Sequence, residues 1–424
     1  MAERLTSAES PLVKVIGKPG SALAHALRDF LHRSDIPFES VQVTTDEEAR
    51  AIAGVAHLHD SRLPVCVFAD GTRMECPTLR QILEKLGWFK TPSRSEYDLA
   101  IYGAGPAGLS AAVYGASEGL RTVLIERWAV GGQSGSTSSI ENYLGFPQGI
   151  AGAELAERAR EQAEKFGAEI LLGREGLRAE FMPGSGVGYL ADGTRISARA
   201  SICATGMEYR RLDLPDEERF RGAGVYYGAG ASEAALTRGE PVFIVGGGNS
   251  AGQAAMHFSP QASEVTLVIH GSSLKETLSK YLVDRIYAAP NVEVLPCTEV
   301  VALEGDEELR EITLRDRKSG RERKARTRWL FICIGGVPQT RWAVEVGAVR
   351  DDAGYIVTGP DLACVPHDHA RRWPLDREPY YLETSLPGVF AAGDVRHGSV
   401  KRYASAVGEG AMAVIFVHRY LTGG

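Results

Sequence analysis

The chain has 424 residues, a formal net charge of −7, and apolar and charged fractions of 44% and 24%. This length calls for two or three domains, and the acidic balance argues against a nucleic-acid-binding surface. No run approaches the roughly 20 apolar residues of a membrane span, no secretory signal is visible, and six cysteines without a C-x-x-C pair fit a reducing cytoplasm.

Residues 1–90 read as a small α/β layer of order βαβαββα. "PLVKVIG" and "FESVQV" are strands, "SALAHALRDFLHR" and "DEEARAIAGVA" helices, "LPVCVFADGTRMEC" a hairpin around a D-G turn, and "LRQILEKLGW" a closing helix. Residues 91–96 lie in the polar, proline-containing stretch "KTPSRSEY" and read as a linker.

From Tyr97 onward, buried strands alternate with helices, the pattern of doubly wound α/β domains. "YDLAIYGAGPAGLSAAVYGASEGLRTVLIER" places Gly103, Gly105 and Gly108 between a strand and a helix that begins near Pro106 and Ala107. Such glycines permit a tight turn, close approach of a pyrophosphate and close helix–strand packing. Glu126, followed by Arg127, ends the next strand, where an acid binds ribose hydroxyls. The strand–turn–helix unit recurs in "PVFIVGGGNSAGQAAMHF", with Gly246, Gly248, Asn249, Ser250 and Ala251 at its turn. Its following strand ends in His270, Gly271, Ser272 and Ser273. That stretch holds neither an acid for a ribose diol nor an Arg for a 2'-phosphate, so NADH or NADPH is possible and a vestigial domain is the alternative. "ICATG", with Thr205 and Gly206, reads as a strand-end crossing point. "FAAGDV" places Gly393 and Asp394 before the terminal helix, where the aspartate can hydrogen-bond a ribityl hydroxyl.

These residues, with "GGQ" at 131–133 and "IENYLGFP" at 140–147, occur in an order and spacing that resembles the thioredoxin reductase family over residues 97–424. The resemblance implies a homodimeric flavoprotein. FAD would be held by Gly103, Gly105, Pro106, Ala107, Gly108, Glu126, Arg127, Gly132, Gln133, Asn142, Thr205, Gly206, Gly393 and Asp394, and by Lys401, Arg402, Tyr403 and Ala404 beside the flavin. It implies an FAD domain in two parts, 97–222 and 338–424, around a nucleotide domain at 223–337, with hydride passing from nicotinamide to flavin. The N-terminal segment is similar to a thioredoxin or glutaredoxin domain, with Pro64 at that fold's cis-proline position. The expected fold is thus two Rossmann-like domains plus a thioredoxin-like α/β domain.

Departures from the family define the expected function. The segment matching its C-x-x-C reads "GVYYGAGASEA" and has no cysteine, and the N-terminal redox turn "GKPGSA" has none. A disulfide relay needs an attacking and a resolving thiol, so thioredoxin reduction by that route is excluded. The family's basic patch is missing at "HGSS", so strong NADPH preference is not expected. The N-terminal layer is then a docking or dimer-stabilising module; a redox role for Cys66 is the minority reading. Tyr226, Tyr227 and Glu233 are expected to line the reactive pocket, with His397 as a further acid–base candidate; Glu233 as a helix cap and His397 as a turn residue are the structural alternatives. Cys364, His367 and His369 lack a fourth metal ligand and read as a surface loop that could cover the flavin pocket. The expected activity is electron transfer between flavin and a small molecule or redox protein. The alternatives are a nicotinamide-independent dehydrogenase or oxidase, and an FAD-binding sensor or interaction protein.

Overall fold

The computed structural model describes residues 11–182, 184–228, 230–364 and 373–423. Its first seven elements are β1 (Val13–Gly17), α1 (Ala22–Arg33), β2 (Phe38–Gln42), α2 (Asp46–Ala51), β3 (Val65–Phe68), β4 (Arg73–Glu75) and α3 (Leu79–Lys85). β1 is the apolar centre of a four-stranded sheet of order β2-β1-β3-β4, parallel to β2 and antiparallel to β3. Ser21 caps α1 by accepting from the Ala24 amide at 3.2 Å, and the helix buries Ala24, Leu27, Phe30 and Leu31. The Leu63–Pro64 peptide bond, just before β3, is cis.

Next come β5 (Glu96–Tyr102), α4 (Pro106–Ser117), β6 (Thr122–Glu126), α5 (Gly152–Lys165), β7 (Glu169–Leu172), β8 (Gly176–Met182), β9 (Ser185–Leu190) and β10 (Arg195–Cys203). They form one sheet of order β7-β6-β5-β10-β9-β8. β5, β6 and β7 are parallel and buried on both faces, and β8–β9 is an antiparallel hairpin whose β8 is mostly exposed.

The middle segment holds β11 (Met207–Tyr209), α6 (Glu217–Phe220), β12 (Val225–Tyr227), β13 (Pro241–Val245), α7 (Asn249–Phe258), β14 (Glu264–Val268), α8 (Lys280–Ala288) and β15 (Val292–Leu295). It continues through β16 (Thr298–Gly305), β17 (Leu309–Asp316), β18 (Glu322–Arg326) and β19 (Leu330–Ile332). Five strands make a parallel sheet of order β12-β19-β13-β14-β15, and β16–β18 make a separate antiparallel sheet. The chain then runs through β20 (Gly336–Pro338), α9 (Arg341–Val346), β21 (Val389–Ala391) and α10 (Tyr403–Thr422). β21 joins the first large sheet alongside β10. The segment before β21 is closed at its base: the Gly359 amide donates to the Glu383 carbonyl at 2.8 Å. The fully buried Glu383 carboxylate accepts from Arg377 at 2.7 and 2.9 Å, and from the amides of Tyr380 and Gly388.

Two compact units result. One contains residues up to Leu79, Ser136–Ser138 and Tyr209–Gly335; the other contains Arg80–Gly135, Ser139–Glu208 and Gly336–Gly424. The helix expected to close the N-terminal layer therefore falls in the second unit. Its reason is packing: a Cβ on Gly173 would meet Leu83 of α3 at 2.4 Å, and the Arg174 guanidinium lies 4.3 Å from the Phe89 ring centre and donates to the Lys90 carbonyl at 2.7 Å. Residues 209–222, expected in the first part of the FAD domain, group instead with the nucleotide domain.

Candidate cofactor and nucleotide sites

In the second unit, β5 delivers the chain into a turn whose backbone requires glycine. Gly103 has φ +103°, and a Cβ there would lie 2.4 Å from the Ala204 carbonyl oxygen; one on Gly108 would lie 1.8 Å from the Gly103 oxygen. Gly105 is different, since a Cβ would find nothing nearer than the Gly132 Cα at 3.9 Å, leaving its backbone open to a ligand. Gly105 caps α4, with Pro106 in the first turn and Ala107 buried beneath. The Glu126 carboxylate closes the turn by accepting from the amides of Ala104 at 2.8 Å and Trp128 at 2.9 Å.

Other expected FAD residues gather in the same unit. Gly132 packs on Gly105, Gln133 donates to the Met207 carbonyl at 3.0 Å, and Thr205 donates to the Gln339 carbonyl at 2.9 Å beside Gly206. The Gly393–Asp394 turn is held from α10 by Glu409, which accepts from the Gly393 amide at 2.7 Å and from Arg396 at 2.7 Å. Burial raises the Asp394 carboxyl above its usual range. Lys401 donates to the Asp394 carbonyl at 2.6 Å, and burial lowers its ammonium. Tyr403 packs edge-on against Tyr143, 4.9 Å between ring centres, while Asn142, Arg402 and Ala404 are exposed. Arg127 points elsewhere, donating to Glu208 at 3.1 Å. His397 follows on the same turn, its Nδ1 2.6 Å from the Asp351 carboxylate.

The first unit repeats the turn. Gly246 has φ +140°, and its Cβ would lie 2.2 Å from the Cys333 carbonyl oxygen, while a Cβ on Gly248 would meet nothing within 4 Å. Asn249 accepts from the Ser279 amide at 2.8 Å, Ser250 is exposed, and Ala251 is fully buried. A cavity of about 400 Å³ is lined by Gly246, Gly247, Gly248, His270, Ser273, Glu276 and neighbours. Sequence reading found no acid after β14. The structure brings one in from six residues beyond His270: Glu276 accepts from the Ser272 hydroxyl at 2.8 Å and sits over Gly271. The missed signal was the 3₁₀ turn Leu274–Glu276, which carries the carboxylate back to the strand end.

The tyrosine segment behaves differently from expectation. Tyr226 is 5% exposed and stacked on Trp329 and Phe331, with ring centres 5.5 and 5.2 Å away. Tyr227 donates to Glu217, a buried carboxylate that also accepts from the amides of Leu212 and Leu214. Glu233 is fully buried beneath α1: one oxygen lies 2.7 Å from His25 Nδ1 and 3.6 Å from Arg28, and the other accepts from the Ser232 hydroxyl at 2.5 Å. Burial opposes both charges, yet the mutual attraction dominates, raising the His25 imidazole and lowering the Glu233 carboxyl. Burial also pushes up the Tyr226 and Tyr227 phenols. The expectation that Glu233 and Tyr226 line a reactive pocket gives way here to a latch between α1 and the nucleotide domain. An acid sealed by an imidazole and a guanidinium has no free face for a substrate proton.

A profile of the pyridine nucleotide-disulphide oxidoreductases matches residues 97–410, about three-quarters of the chain. The chain belongs to the pyridine nucleotide-disulphide oxidoreductase family. This oxidoreductase is similar to a thioredoxin reductase of Bacillus subtilis, 34% identical over 77% of this chain and 95% of that protein. One from Treponema pallidum is 32% identical, over 77% and 98%. Among solved structures, the T. acidophilum thioredoxin reductase superposes with a TM-score of 0.68 at 30% identity, covering 78% of this chain and 99% of its own. The Lactococcus lactis enzyme in its FR conformation also gives 0.68, at 27% identity over 77% and 99%.

Thioredoxin reductases use FAD and NADPH. The oxidoreductase's first turn fits FAD on its own geometry: an unobstructed Gly105 backbone, a helix N-terminus for phosphates and a carboxylate at the end of β6. Its second turn fits a dinucleotide by the same test at Gly248. No cluster of metal-ligating side chains occurs among the described residues. Cys364 is exposed, and His367 and His369 lie outside the described residues. No described helix is long and apolar enough to cross a membrane.

Proposed function

We propose that the protein is an FAD-dependent oxidoreductase that takes electrons from a nicotinamide nucleotide and delivers them directly to an external small molecule or redox protein, without a disulfide relay. The observation that carries this reading is the segment Val225–Ala234, which has the flanking strand and Gly-rich turn of its thioredoxin reductase relatives but no cysteine. None of the six cysteines stands in a C-x-x-C pair: Cys76 and Cys364 are exposed and Cys297 is part-exposed, each without a neighbouring resolving thiol in the sequence. Cys66, Cys203 and Cys333 are buried, and burial pushes the Cys66 and Cys333 thiols up to about 12, far from the thiolate a relay needs.

Bound FAD would supply two-electron and one-electron chemistry to the acceptor. The chain's own residues position it: the α4 N-terminus and Gly105 at the phosphates, Glu126 at the ribose, and the Asp394 turn under Glu409 at the ribityl chain. His397, whose Nδ1 lies 2.6 Å from the Asp351 carboxylate, is the acid–base candidate following that turn. We read residues 11–79 as a thioredoxin-like layer retained as a docking module. Supporting this are its parallel β1–β2 pair, antiparallel β3 and β4, and the absence of cysteine in the turn between β1 and α1.

Anaerobic mixing with NADH or NADPH should bleach the visible flavin band, and a quinone or ferredoxin-type acceptor should restore it. The absence of bleaching with either nucleotide, in protein that retains FAD, would overturn the nicotinamide step.

A further inference from the structure

We propose that the second dinucleotide turn is built for NADH, and that Glu276 selects its free adenosine ribose diol against the 2'-phosphate of NADPH. This rests on the reading of that domain as the nicotinamide site.

In a βαβ dinucleotide unit the pyrophosphate lies over the Gly-rich turn, and the adenosine ribose lies at the carboxyl end of the next strand. Here those places are Gly246–Gly248 and, past the end of β14, His270–Gly271, and both line one cavity of about 400 Å³. The Glu276 carboxylate stands at the ribose end. One oxygen accepts from the Ser272 hydroxyl at 2.8 Å, and the other would be 3.4 Å from a Cβ on Gly271. Gly271 leaves the space in front of that oxygen free of a side chain.

The carboxylate is held in register with the phosphate turn. Leu274, at the start of its 3₁₀ turn, is fully buried, and Ser273 caps the turn by accepting from the Lys275 amide at 3.2 Å. Thr277, the next residue, donates its hydroxyl to the Gly247 carbonyl. The acid and the glycine loop are therefore one construction.

Two vicinal hydroxyls can each donate to a carboxylate, whereas a 2'-phosphate would bring a second anion against it. The cations that could offset this are Lys275, on the adjacent turn residue, and Arg317. The Arg317 guanidinium donates to the His270 carbonyl at 3.4 Å and lies 3.6 Å from Glu299, so its charge is already matched. Lys275 is exposed on the same 3₁₀ turn as the acid and does not line the cavity.

The test is calorimetric titration of the full-length, flavin-loaded protein with NAD⁺ and NADP⁺, alongside flavin bleaching rates with the reduced nucleotides. NAD⁺ should bind about tenfold or more tightly than NADP⁺, the worth of a hydrogen bond to a charged group. Glu276→Gln should remove most of that preference by weakening NAD⁺, and Glu276→Arg should reverse it; Lys275→Ala should leave NAD⁺ the tighter ligand. Tighter NADP⁺ binding by the wild type, or an undiminished preference in Glu276→Gln, would overturn the proposal. Binding of neither nucleotide to protein that retains its flavin would instead remove the nicotinamide reading beneath it, a result distinct from binding both alike.

Discussion

At the scale of single residues, the fate of Glu233 shows how one contact changes a side chain's meaning. A buried carboxylate facing an imidazole and a guanidinium is costly to leave unpaired, so removing either partner should unfold more than it rearranges. Glu233→Gln is expected to lower stability by about 3 kcal/mol in denaturant titration. The pair also makes stability pH-dependent. His25 lies above its ordinary 6.5, so its contribution is complete below that pH and is lost as pH rises through the raised value. Glu233 lies below its ordinary 4.5, so its contribution is complete above that pH and is lost as pH falls through the lowered value. The latch is thus strongest between those ordinary values. Melting curves of the wild type and His25→Gln should converge as the pH is taken well above neutral; a constant gap would assign His25 a packing role only.

At the scale of elements, the two Gly-rich turns share a construction but separate the duties of their glycines. Gly103 and Gly246 are each pressed against the carbonyl at the end of a neighbouring strand, whereas Gly105 and Gly248 face open space. Two substitutions in the first turn should therefore fail in different ways. Gly108→Ala, whose Cβ would overlap the Gly103 oxygen, should lower both thermal stability and flavin content. Gly105→Ala should leave the apoprotein's melting temperature within a few degrees while reducing bound FAD several-fold, because its Cβ intrudes only on the phosphate's approach. Glycine spacing and strand hydrophobicity made these turns legible in the sequence, as they did Glu126 at the end of β6. Glu276 was not legible, because a 3₁₀ turn folds it back from outside the usual strand-end position. Nor was the Glu233–His25 pair, which joins residues 208 apart in the chain. Periodicity also identified α3 as a helix but could not say that its apolar face, with Leu83, packs beside Gly173.

At the scale of the whole molecule, the electron path should be indifferent to sulfur. Replacing all six cysteines with Ser or Ala should leave acceptor turnover within about twofold in variants that retain flavin, since no two of them form the C-x-x-C pair a relay needs. Loss of turnover with FAD still bound would reinstate a thiol step. The first unit also joins the N-terminal sheet to the nucleotide domain at several points besides Glu233. Lys18 donates to Glu307 at 2.7 Å, and Gly20 and Gly222 each sit where a Cβ would strike the facing segment at 2.8 and 3.0 Å. Close glycine contacts of this kind resist sliding, so the N-terminal layer and the nucleotide domain should melt in one calorimetric transition, not two.

The clamp at Glu383 has a different kind of consequence. With Gly359 and Arg377 tied to one buried residue, the intervening stretch begins and ends at fixed points on the flavin-binding unit. A chain anchored at both ends in this way tolerates changes between the anchors, because the ends that must match are already set.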